Sequence, residues 1–88
     1  MTFRSEKVSD GKSTVLWLSG RIQSEHLEEL RSQIESNGGP IVLDLDEVTL
    51  VDVEVIRFLG SCGRQGIELR HCPPFVREWI AREQERNE

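Results

Sequence analysis

The order of apolar and polar residues along this 88-residue chain predicts four strands and three helices. Short apolar runs rich in strand-forming residues predict strands at about 3–8, 14–18, 41–45 and 67–71. Apolar residues spaced three and four positions apart predict a helix between the N-cap Ser24 and a stop signal at 37–40, one at 53–64, and one from Pro73 to about Ala81. The order β-β-α-β-α-β-α predicts an α/β fold.

The connections between these elements predict how the strands pair. The Asp10-Gly11 turn favours an antiparallel hairpin of the first two strands, and Ser19-Gly20 is predicted to end the second. Helical crossovers make the remaining strands parallel, and their right-handedness puts the helices on a common face. We therefore predict a four-stranded mixed sheet with three helices mainly on one face. The alternation of residues 67–70 indicates that the other face meets water.

Length and composition limit the class of protein. Residues 1–88 are enough for a single domain with one modest core, and residues 82–88 are expected to form a frayed polar tail. The net charge of −5 argues against nucleic acid as a partner, because phosphates require a basic surface. No apolar run could cross a bilayer and no apolar leader is recognisable, so we expect a cytoplasmic protein without direct membrane insertion.

The cysteines and histidines form no pattern typical of a metal site. Cys62 and Cys72 lack the spacing of a zinc site or a disulfide framework, and we expect free thiols in a reducing compartment. His26 and His71 have no second ligand at metal spacing and are expected at the surface. We predict no metal and no cofactor.

Candidate chemistry concentrates in the acidic stretch that follows the third strand. It contains Asp44, Asp46, Glu47, Asp52 and Glu54, and predicts an acidic turn before the second helix. Unpaired N–H groups and the helix dipole favour carboxylates at a helix start. Open α/β sheets also place their binding sites where strands lead into helices. We therefore expect the functional surface here.

Catalytic and metal-binding interpretations of this stretch are weaker alternatives. Asp44-Leu-Asp46 resembles the first motif of haloacid dehalogenase-type phosphatases, in which an aspartyl nucleophile works with Mg²⁺. Such a site, like a response-regulator receiver pocket, also needs a Lys, and the chain has none after Lys12. Clustered carboxylates could also bind Mg²⁺ or Ca²⁺ directly. Carboxylates on turns commonly just face water, which argues against such a cation site. Because the Lys is missing and a short motif is weak without its context, we predict that the protein is not an enzyme.

Several short segments together resemble the STAS domain, the fold of bacterial anti-sigma factor antagonists. They fall between residues 3 and 81 and are Leu18-Ser-Gly-Arg-Ile22, Ile41-Val-Leu-Asp-Leu45, Val48-Thr-Leu-Val-Asp52, Gly66-Ile-Glu-Leu69 and Pro74-Phe-Val76. In that family the second helix typically opens with Asp-Ser-Ser/Thr-Gly, and a partner serine kinase phosphorylates the second hydroxyl residue. The dephosphorylated protein binds this kinase, which is also the anti-sigma factor, and so releases the sigma factor.

Compared with that motif, this chain keeps the Asp and lacks the phosphoacceptor. Asp52 matches the Asp, Val53 the first Ser, Glu54 the phosphoacceptor and Val55 the Gly. Because a phosphoserine carries about −1.5 to −2 charge and three acceptor oxygens, Glu54 could be a partial, permanent imitation of it. Glu54 is equally consistent with an ordinary first-turn helix residue that the dipole stabilises.

The resemblance implies a non-catalytic, STAS-type signalling module that binds proteins. We expect an anti-sigma factor antagonist-like regulator of transcription without a phosphorylatable Ser, whose partner is an anti-sigma or serine kinase-type protein. The alternative is a STAS subunit that binds the ATPase of a lipid-trafficking ABC transporter. The predicted partner-binding residues are Asp44, Asp46, Asp52, Val53, Glu54 and Arg57.

A small-ligand sensor and a homodimer are further alternatives. The glycines are scattered and form no phosphate-binding loop, which argues against a nucleotide sensor. If Trp17 or Val15 faces the uncovered side of the sheet, an apolar patch there could serve a homodimer. Burial of Trp17 under the helices is at least as consistent with the pattern.

Overall fold

The computed structural model describes residues 3–9, 11–37 and 39–86, and its elements follow the predicted order. The strands are β1 (Arg4–Ser9), β2 (Thr14–Ile22), β3 (Ile41–Val51) and β4 (Glu68–Arg70). The α-helices are α1 (Leu27–Glu35), α2 (Val53–Arg64) and α3 (Pro74–Arg86), and a 3₁₀ turn (Ser24–His26) precedes α1. The predictions that rest on Asp10, Gly38 and residues 87–88 lie outside the described residues.

The four strands form one mixed sheet in the order β1-β2-β3-β4, which confirms the predicted fold class. β1 is antiparallel to β2, and β2, β3 and β4 are parallel to one another. One face carries Leu16, Leu18, Leu43 and Leu45, all at most 2% exposed. They pack in one core with residues of all three helices, namely Leu30, Val55, Ile56, Leu59, Cys62 and Val76. The helices therefore cover this face, and burying it supplies the main driving force for folding.

β3 is longer than predicted, and the predicted acidic turn is wrong. Asp46 and Glu47 belong to the strand, which continues to Val51. Its pairing with β2 moves from Trp17–Asp44 to Ser19–Glu47, so β3 accommodates one residue more than β2 over this stretch. A β-bulge of this kind bends the strand and interrupts the alternation on which sequence patterns rely.

β2 likewise continues to Ile22, beyond the Ser19-Gly20 pair that the sequence predicts to end it. A second register shift occurs here, because Gly20 pairs with Val48 whereas Arg21 pairs with Leu50. Gly20 has a φ of +83°, a backbone conformation that L-residues rarely adopt. The glycine therefore bends the strand without ending it.

Two helix boundaries differ from the prediction. Ser24 is not the N-cap, because Gln23 occupies that position before the 3₁₀ turn and donates its N–H to Nδ1 of His26 at 3.0 Å. α3 continues to Arg86, so residues 82–86, which the sequence predicts to fray, are helical. Glu83 within this stretch is only 7% exposed, which shows that the end of α3 packs against the rest of the chain.

We expect Leu59→Ala to lower the free energy of unfolding by about 2–5 kcal/mol, because it removes buried methyl groups and leaves a cavity. Leu59 is 0% exposed, whereas Leu50 on β3 is 50% exposed. Leu50→Ala is therefore the matched control, and we expect it to change the free energy by less than about 0.5 kcal/mol. Urea unfolding followed by circular dichroism measures both variants. Equal losses would contradict the described core.

Candidate partner-binding surface

α2 begins at a carboxylate that also holds the segment leading into α1. Asp52 is the N-cap of α2, and its Oδ1 accepts a hydrogen bond from the N–H of Val55 at 3.0 Å. Its Oδ2 accepts a second hydrogen bond from the N–H of Ser24 at 2.8 Å. Val53, the next predicted partner-binding residue, is half-buried. Both carboxylate oxygens of Asp52 therefore accept hydrogen bonds from backbone N–H groups of the chain. They hold the start of α2 beside the segment that leads into α1.

Arg57 on α2 lies between two carboxylates, those of Glu54 on α2 and of Glu83 on α3. Nε of Arg57 lies 3.1 Å from Oε1 of Glu83 on α3, and Nη1 of Arg57 lies 3.4 Å from Oε1 of Glu54. The side chains of Arg57 and Glu54 are 56% and 55% exposed, whereas that of Glu83 is 10% exposed. The Glu83 carboxylate, and to a smaller extent Glu54, raises the pKa of Arg57. Arg57 is thus anchored by α3, and Glu54 is not an isolated negative charge.

A groove of about 570 Å³ lies between α1 and α2, and we call it the α1–α2 groove. Its apolar lining consists of Leu27, Ile34, Phe58, Cys62 and Ile67, and its polar lining of Ser24, Arg31, Glu35, Glu54, Arg57, Ser61 and Gln65. The guanidinium carbon of Arg31 lies 5.6 Å from the centroid of the Phe58 ring, which permits a cation–π contact. The groove thus combines apolar residues with exposed charged residues such as Glu54 and Arg57, which we call its rim. This combination is usual for a protein-binding surface.

Asp44 lies away from this groove. It points to the sheet face opposite the core, because its neighbours in β3, Leu43 and Leu45, point into the core. Its Oδ1 accepts the N–H of Asp46 at 3.0 Å, and its Oδ2 lies 3.0 Å from Nδ1 of His71. Asp44 is 1% exposed, so it offers almost no surface to a partner or to a substrate. The nucleophile that a phosphatase would need has no open approach here.

Of the six predicted partner-binding residues, Glu54 and Arg57 line the groove. The sequence analysis does not predict three residues that lie at this surface: Arg31, Phe58 and Glu83. Helical spacing could have indicated Phe58, because it follows Glu54 by four residues and lies on the same side of α2. Arg31 and Glu83 belong to other helices, and only the tertiary structure brings them to α2.

The two thiols are free, as predicted, and both are shielded. Cys62 is 4% exposed, and burial raises its pKa to about 11. Burial also raises the pKa of the half-buried Cys72. His26 is half-buried and stacks on Phe3 with 4.7 Å between ring centroids, instead of lying freely at the surface.

The described part of the chain contains neither a group of metal-binding side chains nor a membrane-spanning helix. Within residues 3–9, 11–37 and 39–86, no three His, Cys, Asp or Glu side chains are grouped closely enough to hold a metal ion. None of the helices in these ranges combines the length and the apolar character needed to cross a membrane.

Comparison with known proteins gives one informative result for these elements. A protein-family model described as "Mlab, STAS domain" matches residues 5–82. This range includes both helices that line the α1–α2 groove, together with Asp52 and Arg57, and Glu83 lies one residue beyond it. A search of curated proteins finds no match.

We expect Asp52→Ala to lower the free energy of unfolding by about 1–2 kcal/mol, because it removes the acceptor for the N–H groups of Val55 and Ser24. Asp46→Ala is the control, since the Asp46 side chain is exposed, and we expect a change below about 0.5 kcal/mol. Urea unfolding measures both. If the two variants lost the same stability, Asp52 would not be the clamp described.

We expect the two thiols to react with Ellman's reagent at different rates at pH 8. With a pKa of about 11, only about one Cys62 side chain in a thousand is a thiolate at that pH, and the residue is buried. Cys62 should therefore react slowly, and faster as the pH rises toward 11. Cys72→Ser should leave only this slow phase and Cys62→Ser only the faster one. A fast phase that survives Cys72→Ser would contradict the burial of Cys62.

Proposed function

The chain belongs to the STAS domain family, and on that basis we propose that it is a non-catalytic, anti-sigma factor antagonist-like regulatory module. Its contact surface for a protein partner is the α1–α2 groove together with the exposed first turns of α2. STAS domains typically mediate protein–protein interactions and are generally non-catalytic. In this proposal the module acts in the bacterial cytoplasm, in signalling that regulates transcription.

The observation that carries the proposal is the lining of the α1–α2 groove, which combines apolar side chains with exposed charges. Phe58 provides aromatic surface in the groove, and Arg31 lies over its ring. Aromatic residues and arginine are the types that most often dominate binding energy at protein interfaces. Glu54 and Arg57 are more than half exposed at the rim. The apolar lining would supply affinity, and the rim charges would select and orient the partner.

Glu54 stands where the resemblance places the phosphoacceptor of the family. Val53, Glu54 and Val55 carry no hydroxyl group, so this turn offers a serine kinase no acceptor. The pairing of Glu54 with Arg57 at 3.4 Å offsets part of its charge. Glu54 is therefore a weak imitation of a phosphoserine, whose charge is about −1.5 to −2. We propose that the partner affinity is fixed by the Glu54–Arg57 pair and is not switched at this position by phosphorylation.

The second candidate partner is the ATPase of a lipid-trafficking ABC transporter. A helix start without a hydroxyl group in Val53, Glu54 and Val55 suits this partner, because binding an ATPase requires no phosphoacceptor. The same groove would be used, since the exposed side of α2 presents Glu54 and Arg57 whichever partner binds.

Affinity capture from native lysate, including solubilised membranes, tests the proposal when several variants are compared by mass spectrometry. The baits are the wild type, Phe58→Ala, Glu54→Ser, and Glu29→Lys as a control. Glu29 is exposed on α1 and does not line the groove. We expect Phe58→Ala to weaken capture by roughly tenfold or more, as truncation of an interface hot spot does. Urea unfolding of each bait verifies that it is folded.

The identity of the captured protein separates the two candidate partners. A serine kinase or anti-sigma protein that binds Glu54→Ser more strongly than the wild type would support the anti-sigma pathway and the role of Glu54. An ABC ATPase that binds both equally would support the transporter. A partner that binds folded Phe58→Ala as strongly as the control would overturn the groove as the contact surface.

A further inference from the structure

The sheet face opposite the core carries its own apolar group. Val8, Val15, Trp17 and Val42 do not belong to the core beneath the helices, although Val42 is only 8% exposed. The strand register places Val8, Val15 and Val42 side by side in one row across β1, β2 and β3. Trp17 lies two residues along β2 from Val15 and so points to the same face. We call this surface the open sheet face.

Much of this apolar surface is accessible. Trp17 is 44% exposed and Val8 is 50% exposed, and Leu50 farther along β3 is also 50% exposed. Arg21, the register partner of Leu50, is exposed as well. An adjoining set of exposed aromatic and aliphatic side chains on one sheet face is typical of a surface that another protein covers.

In the row of the open sheet face that contains Trp17, the charges at the two edges are opposite in sign. The row that contains Trp17 begins with Glu6 on β1 and continues through Asp44 to Arg70 on β4. Glu6 is exposed and forms none of the ion pairs found among the described residues. Arg70 is 41% exposed and forms a loose pair with Glu68 on the same face, at 3.5 Å. One edge of the row is therefore acidic and the other is basic.

This arrangement is self-complementary. A twofold axis parallel to the strands, in front of the open sheet face, places β1 of one chain over β4 of a second copy. Glu6 and Arg70 lie in the same row, so each Glu6 then faces the Arg70 of the other copy. Between these two ion pairs, Val15 faces Val42 of the other copy, and the two Trp17 side chains lie diagonally across the axis, each over the row position of Asp44. Val8 faces Glu68 of the other copy at the edges. Stacked sheets lie about 10 Å apart, a separation that such side chains fill.

We propose that the protein forms a symmetric homodimer through the open sheet face, with Glu6 of each chain paired with Arg70 of the other. The four strands span only about 14 Å at about 4.8 Å per strand spacing. The interface is therefore at the small end of specific interfaces, and the dimer dissociates on dilution. The α1–α2 groove lies on the other side of the sheet and stays open in both copies.

Sedimentation velocity of the full chain at low salt, over a series of concentrations, tests the dimer. We expect the weight-average sedimentation coefficient of the wild type to rise with concentration. Glu6→Arg and Arg70→Glu each place like charges at both edge contacts, and we expect each to weaken association by at least about tenfold. Glu29→Arg on α1 makes the same charge change as Glu6→Arg outside the interface and should leave association unchanged.

Mixing the two interface variants gives the decisive measurement. A heterodimer of Glu6→Arg with Arg70→Glu has opposite charges at both contacts, so the equimolar mixture should associate about as strongly as the wild type. This rescue also shows that neither variant fails merely because it is misfolded. A wild type that stays monomeric at every concentration, variants that associate like the wild type, or a mixture no stronger than its components would each overturn the proposal.

Discussion

The two hydrogen bonds of Asp52 are the contact on which the proposed partner surface depends. One oxygen caps α2 and the other binds the N–H of Ser24, twenty-eight residues earlier in the chain. The sheet alone would leave the two helices free to begin at different heights. Because one carboxylate binds the first turn of α2 and the segment before α1, the two helices start side by side. The groove between them therefore has a defined shape. Asp52 thus supports the surface without offering itself to a partner.

The fold class and α2 could be predicted from the sequence because the relevant signals are local. Val53–Arg64 has an N-cap, an apolar stripe and a glycine after its end, and the structure has a helix with the same bounds. The end of β3 is not predictable in the same way, because a bulge breaks the period-two pattern at Asp46 and Glu47, and carboxylates that look like turn residues lie in a strand. The end of α3 looks polar, yet Glu83 is buried because it pairs with Arg57.

The candidate site could be predicted only in part, because the sequence predicts two of its residues on α2 and none of those on the other helices. The carboxylates near the strand end suggested one acidic cluster, but alternation along β3 sends Asp44 to the opposite side of the sheet from Glu54. Arg31 and Glu83 reach α2 from other helices, and no local spacing connects them to it. The resulting surface is of mixed charge, because Arg57 lies between two carboxylates. A partner would therefore meet a charge pattern and not simply an acidic patch.

The two outer strands have a consequence for how the molecule stays in solution. Among the strands of the described residues, β1 and β4 each have one side without a neighbour, and such edges can recruit strands of other molecules into growing aggregates. β4 has only three residues, and β1 carries Arg4, Glu6 and Lys7. Short length and closely spaced charges are the means by which natural sheets discourage uncontrolled growth at their edges. The sequence of β1 thus protects the chain against polymerisation by strand addition.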